Sequence, residues 1–377
     1  GTNFGFWSSG ALGPGAFVHT SYDYLAPISE AGFHTVGVDG VDKFEAIRKF
    51  LVMNAMAKGE EMPPAEPAPP RLATYPGEGP SGEAPLQRRA SLRDPAVLTT
   101  LCNGGWRAAS QPVSMEALGQ HLGMILYRYH FAGDEAAPTP GKKAASKLRL
   151  SLTARDRVSV WQQTKMVTQL WSKFDKPFEL PFKKARHTED SMALELAAIQ
   201  KGDVLDILVE NLGRRAFFMV NTTDAKDSWE EWRGLREAKL NNAPLNSQWE
   251  VCSLPLADLR AFSGGVPPFT GGPADAGAPA FFEGQVTVSG EPADTFLRLD
   301  AGPWTVGVAF VNGFNLGRYS REAPAPFDFY VPKSALREGR NQVVLLEMSP
   351  AASLTGRPAI RLDAQRAPAG PELGRAA

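Results

Sequence analysis

The chain has 377 residues, with 40 Lys and Arg against 41 Asp and Glu, and a formal net charge of −1. A length of this order predicts two or three folding units, and the balanced charge argues against a polyanion partner such as nucleic acid and offers no basic block for a membrane surface. Hydrophobic residues make up 43% of the chain, enough for real cores, and 36 glycines with 31 prolines favour a turn-rich, largely β chain.

Residues 1–57 read as a strand end, a long loop and one helix. Gly1 to Gly15 is rich in Gly, Ser and aromatic residues, which suits a loop leaving a strand. Lys43 to Lys58 carries Phe44, Ile47, Phe50, Leu51 and Met53 with polar residues between, a helical period. One loop and one helix do not make a domain, so their packing partners are expected in a missing N-terminal portion. The first residue is Gly1 rather than Met, so the chain is expected to be processed or incomplete.

Residues 58–95 change character. The run Met62-Pro63-Pro64-Ala65-Glu66-Pro67-Ala68-Pro69-Pro70 and the stretch Gly77 to Pro85 predict an extended linker or disordered loop. Residues 96–255 read as a first β domain, with strands at Leu148–Leu152, which alternates with period two, and at Val204–Val209. Residues 256–279 form a Gly/Pro-rich connection. Residues 280–350 read as a second β domain with strands at Phe282–Val288, Thr295–Leu299, Val306–Val311, Phe327–Val331 and Val343–Met348. Asn312-Gly313 between two strand-like runs predicts a hairpin turn. Residues 351–377 lack periodicity and predict a frayed tail. One internal echo points to two related sandwiches: Gly202 to Glu210 and Gly339 to Glu347 share a glycine, a β-rich run and a glutamate at the same spacing.

No apolar run approaches the ~20 residues of a membrane span. Cys102 and Cys252 are the only cysteines, too few for a metal set. Two separate thiols are expected, with one long-range bridge as the alternative. The histidines at 19, 34, 121, 130 and 187 show no metal-binding spacing, and no nucleophile elbow occurs.

Two stretches offer sugar-binding chemistry. Gly1-Thr2-Asn3-Phe4-Gly5-Phe6-Trp7 places three aromatic rings in seven residues; such rings suit either the core of a loop or the C–H face of a sugar. Thr20-Ser21-Tyr22-Asp23-Tyr24 supplies two phenols and a carboxylate, fitted either to a surface loop or to sugar hydroxyls. Trp304 is expected inside a sandwich. Glu210 with Arg214 is expected to form a structural ion pair or domain-interface contact rather than a catalytic site.

Taken in order, these stretches resemble the β-galactosidases of glycoside hydrolase family 35. The resemblance runs through Gly1 to Trp7, then Ser21 to Tyr24 with Ala26-Pro27-Ile28-Ser29-Glu30-Ala31-Gly32, then the helix around Phe44 to Phe50. It continues through Ile125-Leu126-Tyr127-Arg128, Leu205 to Arg214, Leu254-Pro255-Leu256, Pro279-Ala280-Phe281-Phe282, Asp294-Thr295-Phe296 and Val311 to Tyr319. It implies the end of a (β/α)8 barrel followed by two β-sandwich domains of jelly-roll, galactose-binding-like type. It also implies retaining hydrolysis of β-galactosides by two glutamates, one a nucleophile and one an acid/base. In the family both come from earlier barrel strands, so this chain is expected to hold no catalytic residue and, alone, to be inactive.

The matching loops would line one wall of the sugar pocket, at the C-terminal ends of the barrel strands. Tyr24 matches the family tyrosine that hydrogen-bonds the galactose on the nucleophile side, with Tyr22 a neighbour. Phe6 stands where some members place a tyrosine and can pack but not donate. Leu25 replaces an acidic residue, Ser320 stands where tryptophan is common, and the hairpin signal between Trp161 and Lys165 is blurred; these departures bear on substrate preference. The implied partner is a β-galactoside glycan or oligosaccharide, with no cofactor and no metal, and the implied location is lysosome, vacuole or outside the cell. Asn221-Thr222-Thr223 is a glycosylation sequon. The oligomeric state is not readable. The alternative is a non-catalytic carbohydrate-binding or structural β-sandwich protein.

Overall fold

The computed structural model describes residues 10–13, 16–18, 26–37, 39–65, 68–133, 148–171, 191–215, 232–266, 279–321, 327–349 and 356–366. The chain opens with β1 (Gly10–Gly13) and β2 (Ala16–Val18), an antiparallel pair, followed by α1 (Lys43–Lys58). Next come β3 (Ala84–Pro85), β4 (Gln87–Ser91), α2 (Pro95–Leu101), β5 (Arg107–Ala109) and β6 (Met124–His130). β7 (Leu148–Arg155), β8 (Arg157–Gln162), β9 (Lys165–Trp171), β10 (Ser191–Leu196), β11 (Val204–Glu210) and β12 (Arg214–Arg215) follow. β13 (Gly234–Leu240), β14 (Ala243–Pro244) and β15 (Trp249–Leu254) lead to β16 (Ala280–Val288), β17 (Thr295–Arg298) and β18 (Val306–Val311). The chain then forms β19 (Phe314–Ser320), β20 (Asp328–Val331), β21 (Gly339–Glu347) and β22 (Ala359–Asp363).

β1, β2 and β12 form a small three-stranded sheet of order β12-β1-β2, and the remaining strands build two sandwiches, in agreement with the mainly β reading. In the first, a six-stranded sheet of order β5-β15-β6-β11-β8-β9 faces a four-stranded sheet of order β10-β7-β13-β14. Their shared core holds Ile125, Tyr127, Leu150, Leu152, Ile207, Val209 and Trp249. In the second, a five-stranded sheet of order β19-β18-β21-β16-β4 faces a four-stranded sheet of order β20-β17-β22-β3, around Phe282, Leu297, Trp304, Val311 and Leu345.

A third core joins the two sandwiches. It takes Met124, Leu126, Trp161, Leu208 and Leu254 from the six-stranded sheet and Phe281, Val308, Phe310, Val344 and Leu346 from the five-stranded sheet, with Val97 and Leu98 of α2 beside them. The strand period of two explains the division, because successive side chains point to opposite faces. In β6, Met124 and Leu126 turn to the joining core while Ile125 and Tyr127 turn to the sandwich core. β11, β18 and β21 therefore carry near-continuous apolar runs although they are antiparallel: both faces of their sheets are covered. β7 lies in an outer sheet and alternates buried with exposed or half-buried positions.

Two parts of the domain reading differ from the structure. The stretch read as a linker contains β3 and β4, which pair with β22 and β16, while Leu72 bridges Asp294 and Tyr75 bridges Leu362. Both β3 and β4 are edge strands, where proline is tolerated because one side needs no ladder donor. Tyr75 and Leu86 are buried in the second core. Likewise β22 lies in the stretch read as a frayed tail, yet it sits between β17 and β3. The second sandwich thus takes strands from before and after the first. The cysteines also depart from the expectation of separate thiols: Cys102, at the end of α2, and Cys252, in β15, form a disulfide with Cα atoms 5.3 Å apart, inside the joining core.

The predicted hairpin is present. Asn312 (φ 50°) and Gly313 (φ 81°) form the two-residue turn between β18 and β19. A Cβ on Gly313 would meet the Arg260 backbone nitrogen at 2.7 Å, so the position requires glycine. Among the described residues no helix is long and apolar enough to cross a membrane.

Candidate functional site

Tyr24, Tyr22 and Phe6, the residues expected to line a sugar pocket, lie outside the described residues, as do Leu25 and the Asn221 sequon. The chain just beyond them is described. Residues 26–37 form a tight loop in which Ile28 bridges His34. Ser29 N donates to Phe33 O at 2.8 Å and Thr35 N to Pro27 O at 3.1 Å. Phe33 N donates to Ser29 Oγ. Ala26 and Ala31 are buried.

The loop is tied to α1. His34 Nδ1 lies 3.1 Å from Asp42 Oδ2, and the His34 ring stacks on Phe44 with centroids 4.1 Å apart. Asp42 is the N-cap of α1, accepting from Glu45 N at 2.9 Å; that bond, with a smaller contribution from His34, holds its carboxyl below the usual range. The helix ends at Gly59 in the left-handed conformation. It buries only Ala55, while Phe50, Met53 and Met56 are each about 70% exposed. An apolar face of this kind is unusual on a free surface.

The buried carboxylates among the described residues are committed to structure. Asp206 of β11 accepts from Arg93 and Arg128. Glu210, at the end of the same strand, pairs with Arg157 at 2.9 Å and with Arg318 of β19. The expected domain-interface role of Glu210 is thus met by Arg318 from the second sandwich; the Arg214 side chain lies outside what is described. Glu347 accepts from Thr305 N, Val306 N, Ser349 N and Tyr319 Oη. Asp294 accepts from Lys333 N, Asp94 caps α2 through Ala96 N, and Asp328 accepts from Arg366. None of these has the open, paired arrangement that glycoside hydrolysis requires.

Trp304 is fully buried, its Nε1 donating to Ala359 O at 2.6 Å, as expected of a packing residue. Beside it, a polar groove of about 460 Å³ opens between Asp300, Gly302, Thr305, Arg321 and Arg357. Arg321 donates to Trp304 O and Gly302 O and lies 4.4 Å over Phe327. Nothing local in the sequence marks this groove, since its walls come from a loop before β18, Arg321 just after β19 and a segment before β22. Among the described residues no group of His, Cys, Asp and Glu could hold a metal ion.

Residues 279–341, which span β16 to the start of β21, match the family model of the β-galactosidase galactose-binding domain. The β-galactosidase-1-like protein of Mus musculus is 30% identical over 366 residues, covering 92% of this chain and 46% of its own length. β-Galactosidase of Bos taurus is 28% identical over 378 residues, covering 95% and 49%, and that of Homo sapiens is 27% identical over 369, covering 92% and 46%. A glycosyl hydrolase family 2 member from Bacteroides cellulosilyticus overlaps 74% of this chain and 32% of its own at 10% identity and a TM-score of 0.23, too low to bear on the fold. The matches define a chain related to glycoside hydrolases. The chain is similar to β-galactosidases over more than nine-tenths of its own length, and it spans about half the length of the curated relatives it matches.

Proposed function

We propose that the chain is the C-terminal, β-rich part of a retaining β-galactosidase that removes terminal non-reducing β-D-galactosyl residues from glycans or oligosaccharides. The observation that carries this reading is the alignment of 92% of the chain with less than half of a β-galactosidase. In a retaining mechanism one carboxylate attacks the anomeric carbon while the other protonates the leaving oxygen and then activates water, the two lying roughly 5–5.5 Å apart. Both glutamates would lie upstream of Gly1, on the strands of a (β/α)8 barrel whose closing helix is α1. The exposed face of α1, with Phe50, Met53 and Met56, supports this, because packing against a barrel would cover it. Tyr24 and Tyr22 would donate to sugar hydroxyls and Phe6 would pack against the ring.

The Cys102–Cys252 bridge supports an oxidising location, as a lysosomal, vacuolar or extracellular protein would have. The test is covalent trapping. A slow 2-fluoro-galactoside incubated with the full-length gene product should label a glutamate upstream of Gly1 when the labelled peptide is mapped by mass spectrometry. A label on any carboxylate within residues 1–377 would overturn the assignment.

The polar groove at Asp300 and Arg321 favours a second reading, carbohydrate binding without catalysis. Galactose titrated into the 377-residue chain would then shift the Arg321 and Thr305 resonances saturably, and Arg321→Ala would abolish the shift.

A further inference from the structure

We infer that Arg366 is a positioning residue for sugar binding: its guanidinium anchors the loop at residues 26–37 to the second sandwich, and so fixes the segment that carries Tyr22 and Tyr24. The inference rests on the sugar-binding role proposed above for those tyrosines. Arg366 follows β22 by three residues. Its Nη2 and Nη1 donate to the two carboxylate oxygens of Glu30 at 2.7 and 3.0 Å, the bidentate fork that gives both strength and fixed direction. Its Nε donates to Asp328 Oδ1 at 3.0 Å, and its plane lies 5.0 Å over Phe296. The side chains of Arg366, Glu30 and Asp328 are 20%, 10% and 0% exposed. One guanidinium therefore joins two poorly hydrated carboxylates, one from the N-terminal loop and one from β20, that would otherwise repel each other.

The loop can transmit this constraint because it is stiff. Its internal bonds between Ser29 and Phe33 and between Pro27 and Thr35 make it move as one piece. Its far side is also fitted closely, since a Cβ on Gly32 would come 3.2 Å from Pro70 Cγ. Glu30 is six residues beyond Tyr24, and the buried Ala26 is two residues beyond it. A guanidinium on the second sandwich thus sets where the chain leaves the proposed sugar wall. Small displacements of binding groups cost rate and affinity far out of proportion to their size.

The experiment uses the full-length gene product and reads two quantities, amide exchange and the kinetics of an aryl β-galactoside. In Arg366→Gln, amides of residues 26–37 should exchange about tenfold faster, with β21 amides unchanged as the internal check on folding. KM should rise about tenfold while kcat moves by less than about twofold. Glu30→Gln should reproduce both effects. Arg366→Lys, which keeps the charge but loses the fork, should fall between Gln and wild type. Tyr24→Phe in the same protein separates the two levels of inference. If Tyr24→Phe raises KM and Arg366→Gln does not, the positioning role is overturned and the reading of the tyrosines stands. If Tyr24→Phe leaves KM unchanged, the tyrosine reading fails and takes the positioning role with it. Unchanged loop exchange in Arg366→Gln would overturn the anchor itself.

Discussion

Glu210 and Glu347 end their strands in the same way and meet their burial differently. Each lies eight residues beyond a glycine in the left-handed conformation, Gly202 at φ 86° and Gly339 at φ 85°, and each is fully buried. Glu210 faces two guanidiniums. Removing its charge leaves Arg157 and Arg318 buried together, so Glu210→Gln should destabilise the chain by about 3–5 kcal/mol in urea unfolding. A loss under ~1 kcal/mol would mean that the pair is hydrated and weak.

Among the described residues Glu347 is met by backbone N–H groups and the Tyr319 phenol rather than by a cation. Burial raises its pKa above the usual 4.5, against the opposing effect of those hydrogen bonds. The folded chain therefore holds this proton to higher pH than the unfolded chain does. Its contribution to stability is fully present below about 4.5 and is lost as pH rises through the raised value. Glu347→Gln removes that titration, so the stability gap between variant and wild type should move in the variant's favour from pH 4 to 7. A pH-independent gap would show that Glu347 titrates alike folded and unfolded. The spacing of eight made the strand and its terminal glutamate legible in the sequence. The partner of Glu210 was not, because Arg318 is 108 residues away and reaches it only when the two sheets pack.

At the scale of elements, legibility followed periodicity. α1, β7, β11 and the Asn312-Gly313 hairpin announce themselves by local pattern and stand where expected. β3, β4 and β22 do not, because each is short, lies in Pro- or Gly-rich surroundings and gains its strand conformation from long-range pairing. The disulfide has the same character: two cysteines 150 residues apart become neighbours only through the joining core. α1 is the converse case, a well-capped helix whose apolar residues find few partners. Its exposed Phe50, Met53 and Met56 should drive self-association of the 377-residue chain at micromolar concentration. Sedimentation velocity should show Phe50→Glu combined with Met53→Lys shifting the chain toward monomer. If the double variant associates as strongly as wild type, the face is not what joins the chains.

At the scale of the molecule, the four sheets of the two sandwiches form a stack in which the two inner sheets are buried on both sides and ion-paired across their contact. Among the described residues the buried carboxylates are structural: Asp206 and Glu210 tie the six-stranded sheet to the second sandwich through Arg93 and Arg318, and Glu347 braces the start of β18 and Tyr319 within its own sheet. The expected sugar wall was legible as residue types at Phe6, Tyr22 and Tyr24, which lie outside the described residues; what the structure adds is the loop at residues 26–37, docked on the second sandwich through Glu30 and Arg366. On the proposed function, this chain would support and shape a galactoside site whose acid/base pair comes from elsewhere in the protein. The most direct test is turnover of an aryl β-galactoside by the purified 377-residue chain beside the full-length gene product. Release at the no-protein background is expected for the chain and clear turnover for the full-length protein; release by the chain well above background would contradict the proposed function.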